Sequence, residues 1–398
     1  MKITRRLVLR CSGAAAAALA LMGASAQGSL LDWLQKLFGQ EEAASSSSAA
    51  SSAPAASSQA PAASSSAPAL PPYDADPLTG EAKRGRGRIV AVMVNNICNS
   101  ARQNARPQRG LSAASVLIES KVEGSISRLC ALYSDVDAIP EVGPLRSGRD
   151  QFLQLVMPWQ ALYYHDGESV FCTQYVSQWD YSGLNIGGKS YFNTPTHPQV
   201  AHRDPRGGVV AYEHTEFTSG PEIRQAAGNA GIGLTYDYDA TFFPFADYRT
   251  GETVLLEGCQ SARDVTVRHS AGYQSAFHYS DPDKVYRMEM YSSRTGRFEP
   301  AVDELNSQQL AFENLLVCFA PIAAYPGDSG DVQQVQYIAG GEAFLFTRGR
   351  VRPCQWSKLA PDLPLEVTDN GQPVAFNRGR TYLAIVDEDE RDAFAFNA

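Results

Sequence analysis

Gly143-Pro144-Leu145-Arg146-Ser147-Gly148-Arg149-Asp150, the largely apolar Phe152–Val156 and Ala161-Leu162-Tyr163-Tyr164-His165-Asp166-Gly167 together decide the fold of this chain. The first segment, rich in Gly and Pro, reads as a loop, the second as a helix ending near Pro158, and the third as a strand. Upstream, Arg88-Ile89-Val90-Ala91-Val92-Met93-Val94 lies between Gly87 and Asn95-Asn96, the pattern of a buried strand. Strand, loop, helix and strand predict a βαβ unit with a parallel strand pair.

Working outward, 115–122 and 126–133 read as two strands joined by a hairpin-like turn at Glu123-Gly124. Beyond residue 226 the chain is β-rich. Segments 264–269 and 286–291 alternate with period two, as half-buried strands do. Leu315–Ala320 reads as a fully buried strand, and 343–347 and 381–386 follow between Gly and Asn-Gly turns. The expected class is α+β: a mixed α/β domain over 87–225 and a β-rich domain over 226–398, the latter as a curved sheet or small barrel.

The loop at 143–150 is also the first candidate site. Ser147 stands where an N-cap is expected, and Asp150 falls in the first helical turn, where negative charge is favoured. Arg146 and Arg149 flank the cap. Two guanidinium forks beside backbone N–H groups suit a carboxylate or phosphate, and the position beyond a strand's carboxyl end is where open α/β sheets bind ligands. The competing expectation is that both arginines pair with acids such as Glu119 and Glu123 and merely hold the loop.

Four blocks of this region, 105–111, 123–128, 143–149 and 161–167, resemble the YerB-type family of bacterial envelope lipoproteins. Residues 340–350, Trp356-Ser357-Lys358, Asn370-Gly371 and 377–382 resemble its C-terminal part. The resemblance implies an extracytoplasmic location and a two-domain layout, without an established reaction. The candidate ligand-binding residues are Arg128, Arg146, Ser147, Arg149, His165, Arg203 and Asp204. Two departures stand out. Members carry a lipobox cysteine, whereas Cys11 precedes the apolar run here; and members tend to have a Pro-His pair where this chain reads Pro300-Ala301-Val302-Asp303.

The first 26 residues read as a cleavable export signal. Lys2, Arg5, Arg6 and Arg10 precede the short apolar run Ala14–Met22, with Ala24-Ser25-Ala26 as the cleavage site. The run is too short to span a membrane, which takes about 20 residues. The Arg5-Arg6 pair fits twin-arginine export as well as the general route. Residues 27–40 form a short amphipathic segment, with Leu30, Leu34, Leu37 and Phe38 on one helical face, suited to peripheral membrane contact or to a partner groove. From 41 to 86 a Ser/Ala/Pro-rich composition predicts a disordered spacer.

Charge excludes one class of partner. The chain carries 34 basic and 43 acidic residues, and no basic stripe is available for nucleic acid. The expected partners are an envelope glycan or protein, and the oligomeric state is left open. Seven cysteines are widely spaced without a C-x-x-C pair, so a zinc site of the usual form is not expected, while the even six beyond the signal segment allow disulfides or serve as buried small hydrophobes. No motif calls for a cofactor. His197 and His202 with Asp204 read as a solvated loop rather than a metal site.

An enzymatic reading has four candidates. Glu119 and Glu123 share one side of their strand if it runs that far, as paired carboxylates for acid–base work would. His165 beside Asp166 is the best single base; His214, in Tyr212-Glu213-His214-Thr215, falls where the family has a histidine. Arg203 and Asp204 precede it in a polar loop. No G-x-S-x-G, S-x-x-K or H-E-x-x-H motif is present. The residues therefore predict an envelope module that binds an anionic glycan, peptide or protein, with a hydrolase or transferase of cell-wall or surface polysaccharide as the alternative. Convergence of the arginines, a carboxylate and His165 in one pocket favours catalysis. Carboxylates tied up in ion pairs count against it.

Overall fold

The computed structural model describes residues 74–83, 85–181, 183–185 and 200–398. The export segment, the Leu30–Phe38 segment, most of the spacer and His197 lie outside the described residues.

The expected parallel pair is present: β1 (Val90–Asn95) runs parallel to β4 (Leu162–His165), and helix α1 (Asp150–Val156) leads into β4. The hairpin of β2 (Val116–Lys121) and β3 (Ser127–Tyr133) adds antiparallel to the other side of β1. It turns at Glu123–Ser125, where Gly124 has φ 65°, a left-handed conformation that glycine adopts without strain. Helix α2 (Val170–Gln178) is capped by Ser169, whose hydroxyl accepts from the Cys172 N–H at 3.1 Å. Helix α3 (Gly220–Asn229) follows.

In the second half, β5 (Asp264–Ser270), β6 (Tyr273–Ser280), β7 (Val285–Ser292) and β8 (Arg297–Pro300) form successive antiparallel neighbours. They do not close into one curved sheet or barrel with the remaining strands, as the sequence suggests. Instead β9 (Asn314–Ala320), β10 (Gly341–Thr347), β11 (Arg350–Ser357), β12 (Glu366–Asp369) and β13 (Thr381–Asp387) extend the first-half sheet. Its order is β12-β11-β10-β9-β13-β2-β3-β1-β4 between short edge strands. Strand β14 (Ala395–Asn397) returns to pair with β5.

The reason lies in composition. Strands β9 and β13 are buried at every position, and a run that is apolar on both faces belongs inside a covered sheet. Strand β13 takes that place, parallel to β9 on one side and to β2 on the other. The central sheet is therefore covered twice. Val90, Val92 and Val94 share a core with Val265, Phe277 and Met288 of the second sheet and with Ile223 and Ala227 of α3. Ala91 and Met93 face the other core, with Phe152, Leu153 and Val156 of α1. Second sheet and α3, central sheet, and helices make three layers.

Order also begins earlier than the spacer composition suggests. The Asp76 carboxylate accepts from the Leu78 and Thr79 N–H groups and from the Ser134 hydroxyl, and Leu78 is buried. One acidic turn and one apolar anchor are enough to dock a Pro-rich stretch. The six cysteines from Cys98 to Cys354 are free thiols, and all but Cys259 are buried, so they behave as small hydrophobes. No helix among the described residues is long and apolar enough to cross a membrane.

Candidate functional site

The loop 142–149 lies along the end of β1. The Asn95 N–H donates to the Pro144 carbonyl at 2.8 Å, and the Arg146 N–H to the Met93 carbonyl at 3.0 Å. Further on, the Gly148 N–H donates to the Gly167 carbonyl at 2.9 Å. Gly148 is required by closeness: a Cβ there would sit 3.0 Å from the His165 and Tyr163 rings. The Tyr163 hydroxyl accepts from the Arg149 N–H at 3.0 Å and donates to the Arg149 carbonyl at 3.1 Å. Arg149, not Ser147, is the N-cap of α1, and its side chain makes no cap bond. Ser147 instead uses its carbonyl, which accepts from Arg128 Nη1 at 2.7 Å. The Gly148–Gly167 hydrogen bond and the Tyr163 clamp keep the chain extended two residues further than cap propensity predicts.

This geometry places Arg128 of β3 beside Arg146 and Arg149 around one cleft of about 510 Å³, with Glu123, Glu168 and Asp328 also in its walls. The three guanidiniums are not equivalent. Arg149 donates from Nε to Glu123 and from Nη1 to the Gly148 carbonyl. Arg128, 4% exposed, reaches Glu123 only at 4.0 Å, and its buried Nε has no hydrogen-bond partner. Arg146, half-buried, forms no ion pair within 4 Å among the described residues. Burial lowers the proton affinity of Arg128 well below the usual guanidinium range, and the charges of Arg149 and Arg146 lower it further. Burial is also the main cause of the lowered value at Arg146, with Arg149 adding to it. An anion in the cleft would offset this repulsion and offer Arg146 the ion pair it does not make among the described residues.

The other candidates fall elsewhere. Glu119 is 1% exposed. Its Oε1 accepts from Asn96 and Ser127, its Oε2 from Ser275 and Tyr382. Burial pushes its pKa up, but nearby His269 and these hydrogen bonds outweigh that and hold it below the usual carboxylate range. Glu123 lies past the end of β2, in the turn, so the two carboxylates do not share a strand face.

Both histidines are buried. His165 Nδ1 lies 2.8 Å from the Gly167 carbonyl and so carries the proton, while burial pushes its pKa down to about 4. It supports the loop from beneath Gly148. His214 Nδ1 accepts from Asn95 Nδ2 at 2.9 Å, and its Nε2 donates to Gln103 Oε1 at 2.9 Å. That fixes one neutral tautomer, in keeping with a pKa lowered mainly by burial. Arg203 pairs with Glu216 at 3.1 Å and stacks 3.8 Å over the Tyr212 ring. Asp204 accepts from Arg109 at 2.6 Å, and Arg109 also binds Glu141 and Glu304. Arg203 and Asp204 therefore do not line the arginine cleft.

Sequence reasoning missed one group entirely. Buried Glu216 hydrogen-bonds Asp166 and is pushed up to about 8 by burial and by that neighbour, against Arg203 and Arg146. The two acids lie 50 positions apart in sequence, and backbone bonds of the 142–145 loop to 216 and 218, with the Leu145 N–H donating to the Glu216 carbonyl at 2.7 Å, bring the second to the loop.

Two family models match the chain in tandem: the N-terminal domain of a protein family of unknown function (DUF3048) over residues 78–233, and the C-terminal domain of the same family over 265–383. The "Putative lipoprotein YerB" of Bacillus subtilis (strain 168) is 26% identical over 320 residues, 78% of this chain and 85% of that protein. The crystal structure of YerB protein from Bacillus subtilis superposes with a TM-score of 0.65 at 23% identity, covering 81% of this chain and 99% of the other.

Proposed function

This chain belongs to the YerB-like two-domain family of unknown function, and on that premise we propose that it is an extracytoplasmic envelope protein that binds an anionic group on a glycan, peptide or protein in the Arg128–Arg146–Arg149 cleft. One observation carries the reading. Three guanidiniums surround one cleft, and among the described residues Arg146 there makes no ion pair within 4 Å. Buried polar groups are normally satisfied within the protein, so a guanidinium left without an ion pair at a cleft wall supports an external acceptor. The relative's lipoprotein name and the export signal support the location.

The hydrolase or transferase alternative gains nothing from its candidates. Glu119 is saturated with donors, Glu123 is bonded to Arg149, and both histidines are buried and neutral.

The test is retention of the full chain on cell-wall fractions, comparing wild type with Arg146→Ala and with Arg146→Ala/Arg149→Ala. Loss of retention in both variants is expected. Equal retention of all three proteins rejects the anion receptor, and a tagged chain recovered in the cytoplasmic fraction rejects the location.

A further inference from the structure

A second cavity, of about 200 Å³, lies where the chain following β1 meets the second sheet. Asn104, Arg106 and Gln108 line one side; Met290, Arg294 and Val302 line the other. The space is smaller than the usual drug-sized pocket of about 300–1,000 Å³. Given that a water occupies about 30 Å³, it would hold roughly half a dozen waters or one small organic group.

Its polar side is rigid. Arg106 Nε donates to Asn96 Oδ1 at 2.9 Å and Nη1 to the Tyr291 carbonyl at 2.8 Å. Asn104 donates to the Arg106 carbonyl at 2.9 Å and accepts from the Arg106 N–H at 3.1 Å. Gln108 Nε2 is held by the Asn95 carbonyl and Asn96 Oδ1. Among the described residues no carboxylate lies within ion-pair distance of Arg106 and its Nη2 has no hydrogen-bond partner, in contrast to Arg109 with its three carboxylates. Glu119 and Glu299 act on the Arg106 charge from beyond ion-pair distance, and Glu119 is also linked to it through Asn96. Exposed Arg294 adds a second cation and partly buried Glu299 an anion, while Pro107, Pro300 and Ala301 join Met290 and Val302 as apolar wall.

We propose that this cavity binds the carboxylate of a short apolar acid, with Arg106 taking the carboxylate and the Met290–Val302 wall taking a branched chain of a few carbons. A guanidinium held by two hydrogen bonds, with one edge free, is pre-organised for a carboxylate. The small volume excludes an oligosaccharide or a phosphorylated nucleotide, and the apolar wall would leave a sugar's hydroxyls without partners. The same chemistry is offered by a free acid and by the C-terminal residue of a peptide.

Saturation-transfer NMR on the full chain tests it with four probes: isovalerate, isovaleramide, Ala-Ala-Val and Ala-Ala-Val amide. Saturable signals are expected from one or both carboxylates and not from the matching amides; which carboxylate binds more tightly names the source. Arg106→Met weakens binding about tenfold or more, the size of a charge-assisted hydrogen bond. Because Arg106 also braces its loop, Val302→Phe serves as the second variant, filling the cavity while leaving Arg106 in place, and it too abolishes the signal. All measurements are repeated in an Arg146→Ala background, so that acid held in the arginine cleft does not contribute to the signal read from this cavity. Equal signals from acids and amides, no saturable signal at millimolar concentration, or undiminished binding to a folded Val302→Phe chain would each overturn the proposal.

Discussion

The Tyr382 hydroxyl donates to Glu119 Oε2 at 2.8 Å, tying β13 near the C-terminus to β2 in the first half of the chain. Ser275 of the second sheet donates to the same oxygen at 3.0 Å. One buried carboxylate thus holds together two strands of the central sheet and the sheet packed upon it.

Glu119→Ala removes the acceptor shared by four donors and should destabilise the fold by about 3–5 kcal/mol, the cost of removing one partner of a buried charge network. Tyr382→Phe removes one donor and should cost about 1 kcal/mol. Urea denaturation measures both. The folded pKa of Glu119 is depressed, so its contribution is present above the ordinary carboxylate range and is lost as pH falls through the folded value. A Glu119→Ala loss that is the same at neutral and strongly acidic pH contradicts this account.

Asp150 has the opposite sign. It is fully buried at the start of α1, accepts from the Tyr325 hydroxyl at 2.8 Å, and is pushed from 3.8 up to about 6 by burial. Its stabilising contribution is complete below the unfolded value and is lost as pH rises from about 4 through about 6. Asp150→Asn keeps an acceptor for Tyr325 without the charge. Its gain over wild type at pH 7.5, on the order of 1–3 kcal/mol for a shift of about two units, should vanish by pH 4. Urea midpoints at the two pH values check it, and a constant difference counts against the buried-charge explanation.

Much of the secondary structure was legible because its signals are local. The apolar run around Val90 and the alternations in 264–269 and 286–291 place strands within a residue or two. The Phe152–Val156 stretch marks α1. Pairing is a different matter. Nothing in Thr381–Asp387 says that it inserts between β9 and β2, because the choice is made by which covered slot a doubly apolar strand can fill. Helices α2 and α3 and strands β6 and β11 escaped because their polar residues blur the period. In the site, Arg128, Arg146 and Arg149 could be named in advance, but the rank among them could not. That depends on Glu123 sitting in a turn within reach of Arg149, and on Ser147 giving up the cap position.

Gly148→Ala tests the loop that presents the arginines. The added methyl would meet the His165 and Tyr163 rings at 3.0 Å, tighter than an ordinary van der Waals contact, and overpacking of this kind costs about 1–3 kcal/mol. The displaced loop should also lose retention on cell-wall fractions. Thermal denaturation with the same retention measurement distinguishes this from a neutral surface change.

Arg146→Ala separates binding from stability. Arg146 makes no ion pair within 4 Å among the described residues and stands near Arg149 and Arg128, so its removal relieves repulsion between cations while giving up only longer-range attraction to Glu213, Asp166 and Glu123, and costs little packing. The apo variant should unfold within about 0.5 kcal/mol of wild type, as surface substitutions do, or slightly later at low salt, where repulsion is least screened. Inorganic phosphate, as a small probe of the cleft, should raise the unfolding temperature of wild type with a dose dependence set by its Kd. The same titration should leave Arg146→Ala nearly unmoved. An Arg146→Lys variant keeps the charge but loses the fork, and should recover part of the response. If phosphate stabilises wild type and Arg146→Ala to the same extent, the anion sits elsewhere. If Arg146→Ala unfolds several kcal/mol earlier, the guanidinium is a structural brace and the cleft is not a receptor.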